Sequence, residues 1–426
     1  MDDRSGADAK PRTPMLAPFR IRSFRFQWPA DLATSWAFEM ETLILGWYVL
    51  VETGSVLLLT LFASLQFAGT LIAPLFGLAG DRIGHRNLVC MMRAFYGVMA
   101  AVLMVLSFGG ALRPFHVFAV AVLTGMVRPS DLVMRNALIG ETVPSDGLIG
   151  ATSLSRITMD SARVAGSLAG AGMVATLGMS WAYTIIVVFY AASFLLSRGI
   201  AGPRFGAALT ALPASGPRRS PWRDLRDAAT AVWDTPPQLA AMCLAFLLNL
   251  TAYPLAMGLL PYVAREIYGT GQTGLGYLVA AFASGGLLGS VLLSRIGDAI
   301  LPARMTIIFA LAWYGLILAF AQVATTATGI AVLVLTGLAQ GLCIVPMSVL
   351  LLRSAHPALR GRIMGMRTLA VYGLPLGLLA AGPLIDWMGF AATATLYGCI
   401  GASCTLLILL RWHADLWPAG GAGNRR

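Results

Sequence analysis

Long apolar stretches dominate this chain, and short polar segments separate them. A helix needs about 20 apolar residues to cross a lipid bilayer, and twelve stretches reach about that length. They lie at 26–51, 55–79, 88–109, 114–138, 148–177, 179–197, 237–263, 273–293, 302–323, 327–352, 360–385 and 391–411. The pattern predicts an all-α membrane protein with twelve transmembrane helices, numbered here as spans 1 to 12.

The longest polar segment, 198–236, is rich in Pro, Gly, Ala and Arg and divides the spans into six and six. We therefore expect one six-helix bundle at 24–197 and a second at 237–411. The remaining segments, 1–23 and 412–426, are expected to be tails.

Within the central segment, apolar residues recur at helical spacing among arginines and aspartates. These residues are Trp222, Leu225, Ala229 and Val232. A helix with this pattern lies in the membrane interface, so we expect a short amphipathic helix on the inner leaflet. For the first half of the segment, a disordered linker is an equally good alternative.

Composition excludes the soluble classes of protein. Of the 426 residues, 58% are hydrophobic and only 12% are charged, whereas soluble domains carry about 25% charged residues. The five cysteines and four histidines show no metal-ligand spacing, so neither a metal site nor a disulfide framework is expected. The chain has no P-loop, so we expect no ATP hydrolysis, no enzyme activity and no cofactor.

The net charge of +11 comes almost entirely from arginines in the segments between spans. The arginines gather before span 1, after spans 2, 8 and 10, and in the central segment, while the alternate loops hold only Arg113 and Arg265. By the positive-inside rule, both termini and the central segment are cytoplasmic. Nucleic-acid binding is excluded because there is no soluble basic domain. The polar start of the chain predicts no cleaved signal peptide, and the low lysine content is typical of a GC-rich bacterial genome, which indicates the bacterial plasma (inner) membrane.

A short motif follows span 2, and part of it returns after span 8. The stretch Gly77-Leu-Ala-Gly-Asp81-Arg82-Ile-Gly84-His85-Arg86 is echoed by Ser294-Arg295-Ile296-Gly297, 213 positions later. It resembles the G-x-x-x-D-R-x-G-R-R signature of the major facilitator superfamily, from which only His85 departs. The resemblance implies two pseudo-symmetric six-helix bundles. It also implies a gating loop that contains Gly77, Asp81, Arg82, Gly84 and Arg86.

Further motifs are similar to the efflux branch that contains enterobactin exporters and macrolide efflux pumps. They are Thr53-Gly54-Ser55, Pro144, Arg360-Gly361-Arg362-Ile-Met-Gly365 and Gly373-x-Pro375-x-Gly377. The resemblance covers roughly 24–412. It departs at Gly166-Ser167, where drug antiporters have a glycine-proline step, and at Arg128, which lies a few residues after the arginine of such antiporters. It implies a monomeric, proton-coupled exporter of a siderophore-like or drug-like small molecule that works by alternating access.

Ionisable residues inside spans cost about 2.5–3.5 kcal/mol each on insertion scales, so each one calls for a function. They concentrate in spans 1, 4 and 5: Asp31, Glu39, Glu41, Arg128, Asp131, Arg135, Arg156, Asp160 and Arg163.

A rise of about 1.5 Å per residue converts position in a span to depth in the membrane. Glu39 and Glu41 then lie at the same depth as Arg163. Asp31 and Asp131 lie nearer the cytoplasmic side and could pair with Arg128. Asp160 can pair with Arg156, four residues earlier on the same helix.

Glu39 and Glu41 are two positions apart, so their side chains diverge by about 200° around the helix. Only one of them can point into a central cavity, and we favour Glu39. We expect the cavity carboxylate to exchange a proton with the transport pathway. The alternative is a static ion pair that holds spans 1, 4 and 5 together.

The substrate-cavity candidates are polar but uncharged: Trp36 in span 1, Asn249 and Tyr253 in span 7, and Gln340 in span 10. An apolar wall with a few hydrogen-bonding groups suits a bulky, largely apolar ligand, although each residue could instead serve helix packing. Two other functions stay open: an uptake symporter on the same fold, and a membrane interaction protein that no longer transports. The insertion cost of the buried charges argues against the second.

Overall fold

The described part of the computed structural model consists of helices and the short turns that join them. It comprises residues 17–72, 82–144, 148–201, 232–296, 301–355 and 360–417, together with residues 76, 79, 80, 229 and 230. The predicted amphipathic helix falls almost wholly outside these residues, as do Gly77 and Asp81 of the predicted gating loop.

Twelve helical segments follow one another in the order predicted from the apolar stretches. They are α1 (Arg22–Thr53), α2 (Val56–Leu65, followed by a 3₁₀ turn at Ala68–Ile72), α3 (His85–Phe108), α4 (Pro114–Thr142), α5 (Leu148–Leu177), α6 (Met179–Arg198), α7 (Pro236–Thr251, continued to Ile267), α8 (Gln272–Ile296), α9 (Pro302–Ala321), α10 (Thr326–Ser354), α11 (Arg360–Leu369 and Gly373–Met388, joined by the 3₁₀ turn Ala370–Tyr372) and α12 (Phe390–Arg411). Short 3₁₀ and α-helical turns, Ala17–Arg20 and His413–Leu416, flank them.

Within the described residues, nine of these helices are long and apolar enough to cross a membrane. The other three are α1, α2 and α5. Helices α1 and α5 carry six of the nine ionisable residues listed above for spans 1, 4 and 5, and these residues lower their hydropathy. The prediction of an all-α fold with twelve helices is confirmed.

Contacts between helix ends define two faces of the bundle. At the face where α1 begins, which we call the terminal face, Arg86 at the start of α3 donates to the carbonyl of Arg198 at the end of α6 (2.5 Å). At the opposite face, called the far face, the hydroxyl of Tyr48 near the end of α1 donates to the carbonyl of Leu112, just before α4 (3.2 Å). Successive helices therefore run in alternating directions.

The first six helices meet the last six through α2 against α11, and α5 against α8. Small residues make these contacts close: a Cβ at Gly382 would lie 2.4 Å from Oγ1 of Thr60, and one at Gly276 would lie 2.6 Å from Cβ of Ala171. A further contact joins α7 to α1, where Arg265 donates to the carbonyl of Leu50 (2.5 Å). All three contacts lie towards the far face.

Helix α7 departs from regular α geometry in its second half. Two single turns of π-helix, Pro254–Gly258 and Val263–Ile267, flank the short α turn Leu260–Tyr262. Proline lacks a backbone N–H and crowds the preceding turn, and Pro254 and Pro261 lie in this region. Such π turns are frequent at functional sites, and the first of the two, Pro254–Gly258, borders the central cavity described below.

Candidate functional site

A cavity of about 410 Å³ lies between the two sets of six helices. Side chains of α1, α2, α4 and α5 line one wall, and side chains of α7, α8 and α11 line the other. Ligand sites for drug-sized molecules span about 300–1,000 Å³, so the cavity can hold such a molecule.

The two walls differ in chemistry. The wall from the last six helices is almost entirely apolar: Ala256, Met257, Leu260, Pro261, Leu275, Val279, Phe282, Leu374 and Leu378. The wall from the first six helices carries polar and charged groups: Ser35, Glu39, Thr42, Gln66, Arg128, Asp131, Arg135 and Arg163. A ligand in this cavity meets charge on one side only.

Glu39 of α1 and Arg163 of α5 form an ion pair in the cavity wall, as their calculated depths predicted. The Nε of Arg163 lies 3.6 Å from Oε1 of Glu39, and the two side chains are 28% and 26% exposed. Helices α1 and α5 approach closely here because residue 166 is glycine: a Cβ at Gly166 would lie 3.1 Å from Cβ of Glu39. The pair is open to the cavity, so a ligand or water can reach both groups.

Glu41 points away from the cavity, into the interior of the first six helices. Its Oε2 accepts a hydrogen bond from the hydroxyl of Tyr190 on α6 (2.9 Å), and only 7% of the residue is exposed. The rings of Phe38, Tyr96 and Tyr190 pack together beside it. Of the two glutamates, the structure places Glu39 in the cavity.

A cluster of four buried charges lies nearer the terminal face and joins α1, α3 and α4. Asp31 accepts from Arg93 of α3, and the Nε of Arg135 lies 2.5 Å from Oδ2 of Asp131 and 3.7 Å from Oδ1 of Asp31. Arg93 also donates to Ser197 of α6. The two acids and two arginines compensate one another.

The predicted pairing of Arg128 with Asp31 or Asp131 is wrong. Both acids pair with other arginines, because α3 supplies Arg93 and because Arg135 lies one helical turn after Asp131. Sequence analysis missed Arg93, the single arginine of the otherwise apolar span 3. In the structure the Arg93 side chain is fully buried. Its only signal in the sequence is a charge inside a span.

Arg128 instead lies at the cavity between α1, α2 and α4. Its Nη1 donates to Oγ1 of Thr42 (2.8 Å) and to Oε1 of Gln66 (2.6 Å), and its Nη2 donates to the carbonyl of Phe38 (3.3 Å). The guanidinium carbon lies 4.3 Å from the centre of the Phe38 ring.

Several candidates lie outside the lining of this cavity. Asp160 pairs with Arg156 (3.2 Å) in a small polar cleft between α5, α8 and α10, which Gln340 also lines. The amide of Gln340 donates to the hydroxyl of Tyr253 (2.9 Å), and the ring of Tyr253 packs on Trp313 (5.0 Å).

The prediction that Trp36 and Asn249 line the substrate cavity is wrong for this conformation. Trp36 packs edge-on against Phe189 of α6, because its position on α1 faces α6 rather than the last six helices. The amide of Asn249 donates to the carbonyl of Ala245 on its own helix (2.9 Å), and its Cβ faces Gly373 of α11. Both residues therefore serve helix contacts in this conformation.

The described part of the predicted gating loop lies at the terminal face. Gly84 adopts a positive φ of 85° at the start of α3, where a side chain would be strained. Arg82 is exposed, and Arg86 caps the end of α6 through the carbonyl of Arg198. His85, which departs from the signature, contacts Glu141 of α4 (Nδ1 to Oε1, 2.6 Å). The gating role of these residues stays a prediction.

Comparison with known proteins identifies the family. Residues 13–414 match the family described as transmembrane secretion effector. The chain is 26% identical over 396 residues to the multidrug efflux pump Tap of Mycobacterium tuberculosis, covering 87% of this chain and 90% of that protein. It is 27% identical over 365 residues to Tap of Mycolicibacterium fortuitum, covering 82% and 85%.

Solved transporters share the fold. A point mutant of the nucleoside transporter NupG superposes with a TM-score of 0.70 at 14% identity, covering 92% of this chain and 99% of NupG. The human organic anion transporter MFSD10 gives a TM-score of 0.64 at 16% identity, covering 93% and 100%. The chain is thus a multi-pass membrane transporter and not an enzyme, and it belongs to the transmembrane secretion effector family, in the efflux branch of the major facilitator superfamily.

Proposed function

We propose that this protein exports bulky, drug-like or siderophore-like molecules in exchange for protons, by alternating access. The observation that carries the proposal is the Glu39–Arg163 ion pair in the wall of a drug-sized cavity. Proton and substrate can reach the same carboxylate there and can therefore compete for it. The similarity to multidrug efflux pumps favours export over uptake.

The exchange step follows from the charges. When Glu39 takes a proton, its attraction to Arg163 falls, since a neutral carboxyl and a guanidinium form only a hydrogen bond. Arg163 lies on α5, the same helix that packs on α8 of the other half through Ala171 and Gly276. A change in the ion pair therefore acts on a helix that joins the two halves. Substrate release and reopening would follow from the shift between two packings of these helices.

The three contacts between halves described above, at Gly382, Gly276 and Arg265, lie towards the far face, which supports a conformation whose cavity is closed on that side. The arginine distribution favours the terminal face as the cytoplasmic one. In this arrangement the protein works as a monomer in the bacterial plasma membrane, without a cofactor, and takes its energy from the proton gradient.

The first experiment identifies substrates. Expression in a pump-deficient bacterium should lower the accumulation of some members of a panel of dyes, macrolides and siderophores, and a protonophore should abolish the effect. Export that survives the protonophore would contradict proton coupling.

The second experiment tests Glu39. In inside-out vesicles, wild-type protein should accumulate the identified substrate when the lumen is acidified, and substrate should drive proton movement. Glu39→Gln should lose the proton movement, while Glu41→Gln, two positions away and outside the cavity, should keep it. Full coupling in Glu39→Gln would refute the proposed exchange site. Accumulation only in right-side-out vesicles would assign an uptake symporter instead.

A further inference from the structure

The charges that line the cavity do not cancel. Glu39 pairs with Arg163, and Asp131 pairs with Arg135. Among the described residues, no carboxylate lies within 4 Å of the guanidinium of the remaining arginine, Arg128. The wall from the first six helices therefore presents to a ligand one guanidinium that no carboxylate contacts.

Glu41 does not supply the missing counter-charge by contact. It lies one residue before Thr42, which binds Arg128, and it attracts Arg128 through space. Its carboxylate accepts its hydrogen bond from Tyr190, so the Arg128 donors stay available to a ligand. The partners of Arg128 are all neutral: a hydroxyl, an amide oxygen, a carbonyl and the face of an aromatic ring.

These neutral partners hold Arg128 in place without using all of its donors. A guanidinium has five N–H groups, and hydrogen bonds within the described residues account for three of them. The Nε–H and one Nη2–H remain. A fixed guanidinium with donors left on Nε and Nη2 can bind the oxygens of a carboxylate or phosphate. The Phe38 ring and the three acceptors pre-orient the group, which lowers the entropy cost of binding.

A second arginine, on the other half, follows the same pattern. Arg367 of α11 donates to Oγ of Ser348 (2.5 Å), and no described carboxylate lies within 4 Å of it. The next residue, Thr368, lines the cavity. An anion that moves between the terminal face and the cavity meets positive charge from both halves.

We propose that the cavity selects amphiphilic organic anions, whose charged group binds Arg128 and whose apolar body packs on the wall of the last six helices. That wall offers Leu260, Leu275, Phe282 and Leu378 to an aromatic or aliphatic body. The inference rests on the proposed export function, because it names the substrate class of the same cavity.

The test measures binding without any gradient. Full-length protein in lipid nanodiscs is titrated at neutral pH with three probes of matched size, and energy transfer from tryptophan is recorded. The probes are dansylglycine, which is an anion, its neutral amide dansylglycinamide, and the cationic N-(2-aminoethyl)dansylamide. Wild-type protein should bind the anion at least about tenfold more tightly than the amide or the cation, a difference of about 1.4 kcal/mol, since hydrogen bonds to charged groups are stronger than those between neutral groups.

The variants assign the preference to Arg128. Arg128→Gln should reduce the ratio of the two dissociation constants, amide over anion, to less than about twofold, and Arg128→Lys should keep part of it. Arg113→Gln, the same change in an exposed loop at the far face, should leave the ratio as it is. Partial unfolding of a variant lowers the signal amplitude but not the dissociation constants, so the ratio stays informative.

Two results would overturn the inference: equal binding of anion and amide by wild-type protein, or a ratio unchanged in Arg128→Gln. Neither result depends on transport. Selective binding of the anion without proton-coupled export would refute the proposed function and leave the substrate class standing. Coupled export of neutral or cationic molecules, without a preference for the anion, would do the reverse.

Discussion

The two halves of this transporter differ in how far charge contributes to the packing of their helices. In the first six helices, Asp31, Arg93, Asp131 and Arg135 form a buried ionic cluster that joins α1, α3 and α4. In the last six helices, Arg265 pairs with its neighbour Glu266 within α7. The half with the buried charges also contributes the Glu39–Arg163 ion pair to the cavity, and with it Arg128, which no carboxylate contacts.

The last six helices rely on close backbone approach, which the first six also use where Gly125 of α4 meets Leu65 of α2. A Cβ at Gly337 of α10 would lie 1.9 Å from the carbonyl oxygen of Phe282 on α8, and one at Gly377 of α11 would lie 1.9 Å from that of Leu250 on α7. Small residues of this kind drive helix association in membranes, where the hydrophobic effect between helices is absent. The comparison teaches that the charged groups of the cavity come from the first six helices. The last six supply the apolar wall that faces them.

The largest effect is expected from Arg93→Leu in the ionic cluster. The substitution leaves Asp31 buried with only Arg135, 3.7 Å away, as a charged partner. Breaking a buried ion pair costs about 3–5 kcal/mol, so most of the variant should unfold or aggregate. Size-exclusion chromatography in detergent and the thermal aggregation midpoint measure this loss.

A matched control lies on α5. Arg156 also pairs with an aspartate, Asp160, but its side chain is 62% exposed, and such pairs contribute about 0–1 kcal/mol. Arg156→Leu should therefore behave almost as wild type. Adding Asp31→Asn to Arg93→Leu should recover part of the loss, because the unpaired carboxylate is removed. Equal midpoints for Arg93→Leu and Arg156→Leu would show that the cluster does not stabilise the first half.

The charged residues inside the spans show which features of the structure could be predicted from the sequence. The twelve helices followed from the length of the apolar stretches alone. Depth also followed, since each residue adds a fixed rise along a helix, and so Glu39 and Arg163 were placed level with each other. Partners did not follow, because they depend on how each helix is rotated and which neighbour it meets. For this reason Arg93 was missed, and Arg128 was given the wrong acids.

The cavity-lining candidates were predicted less well for the same reason. Trp36 lies on α1 close to Glu39, yet it faces α6 rather than the cavity. The π turns of α7, which bring Met257 and Leu260 to the cavity, gave no periodic signal beyond the two prolines. Local breaks in helical geometry are set by tertiary packing and not by hydrophobic period.

The second prediction concerns the other polar contact of the first half, between Tyr190 and Glu41. Tyr190→Phe removes the hydrogen bond to Glu41 Oε2 and leaves a buried carboxyl without it, at a cost of about 1.5–3 kcal/mol. Tyr183→Phe is the control: Tyr183 is equally buried on the same helix, but its hydroxyl has no hydrogen-bond partner within the described residues. Thermal midpoints should fall for Tyr190→Phe and hold for Tyr183→Phe. If the two fell equally, ring packing and not the hydrogen bond would account for the effect.

The third prediction tests the packing of the last six helices. Gly337→Ala places a methyl group against the backbone of α8, which cannot rotate away as a side chain can, and overpacking of this kind costs about 1–3 kcal/mol. Gly315→Ala on α9 is the same change at a position with no atom within 4 Å of the new Cβ. The thermal midpoint of this variant should stay the same or rise, because alanine stabilises a helix by about 0.5–1 kcal/mol relative to glycine. A stable Gly337→Ala would show that α8 and α10 can separate freely.

The smallest effect is expected at the terminal face, where His85 contacts Glu141. Glu141 is 51% exposed, so water and salt screen the contact, and exposed pairs contribute about 0–1 kcal/mol. His85→Ala should therefore shift the thermal midpoint far less than Arg93→Leu, and less still at high salt. His85→Arg, which restores the basic residue of the family signature, should keep the contact with Glu141 and match wild type. A midpoint loss in His85→Ala as large as that of Arg93→Leu would mean that the first half is held at its surface as much as in its buried cluster, and the contrast between the two halves would then rest on the cavity charges alone.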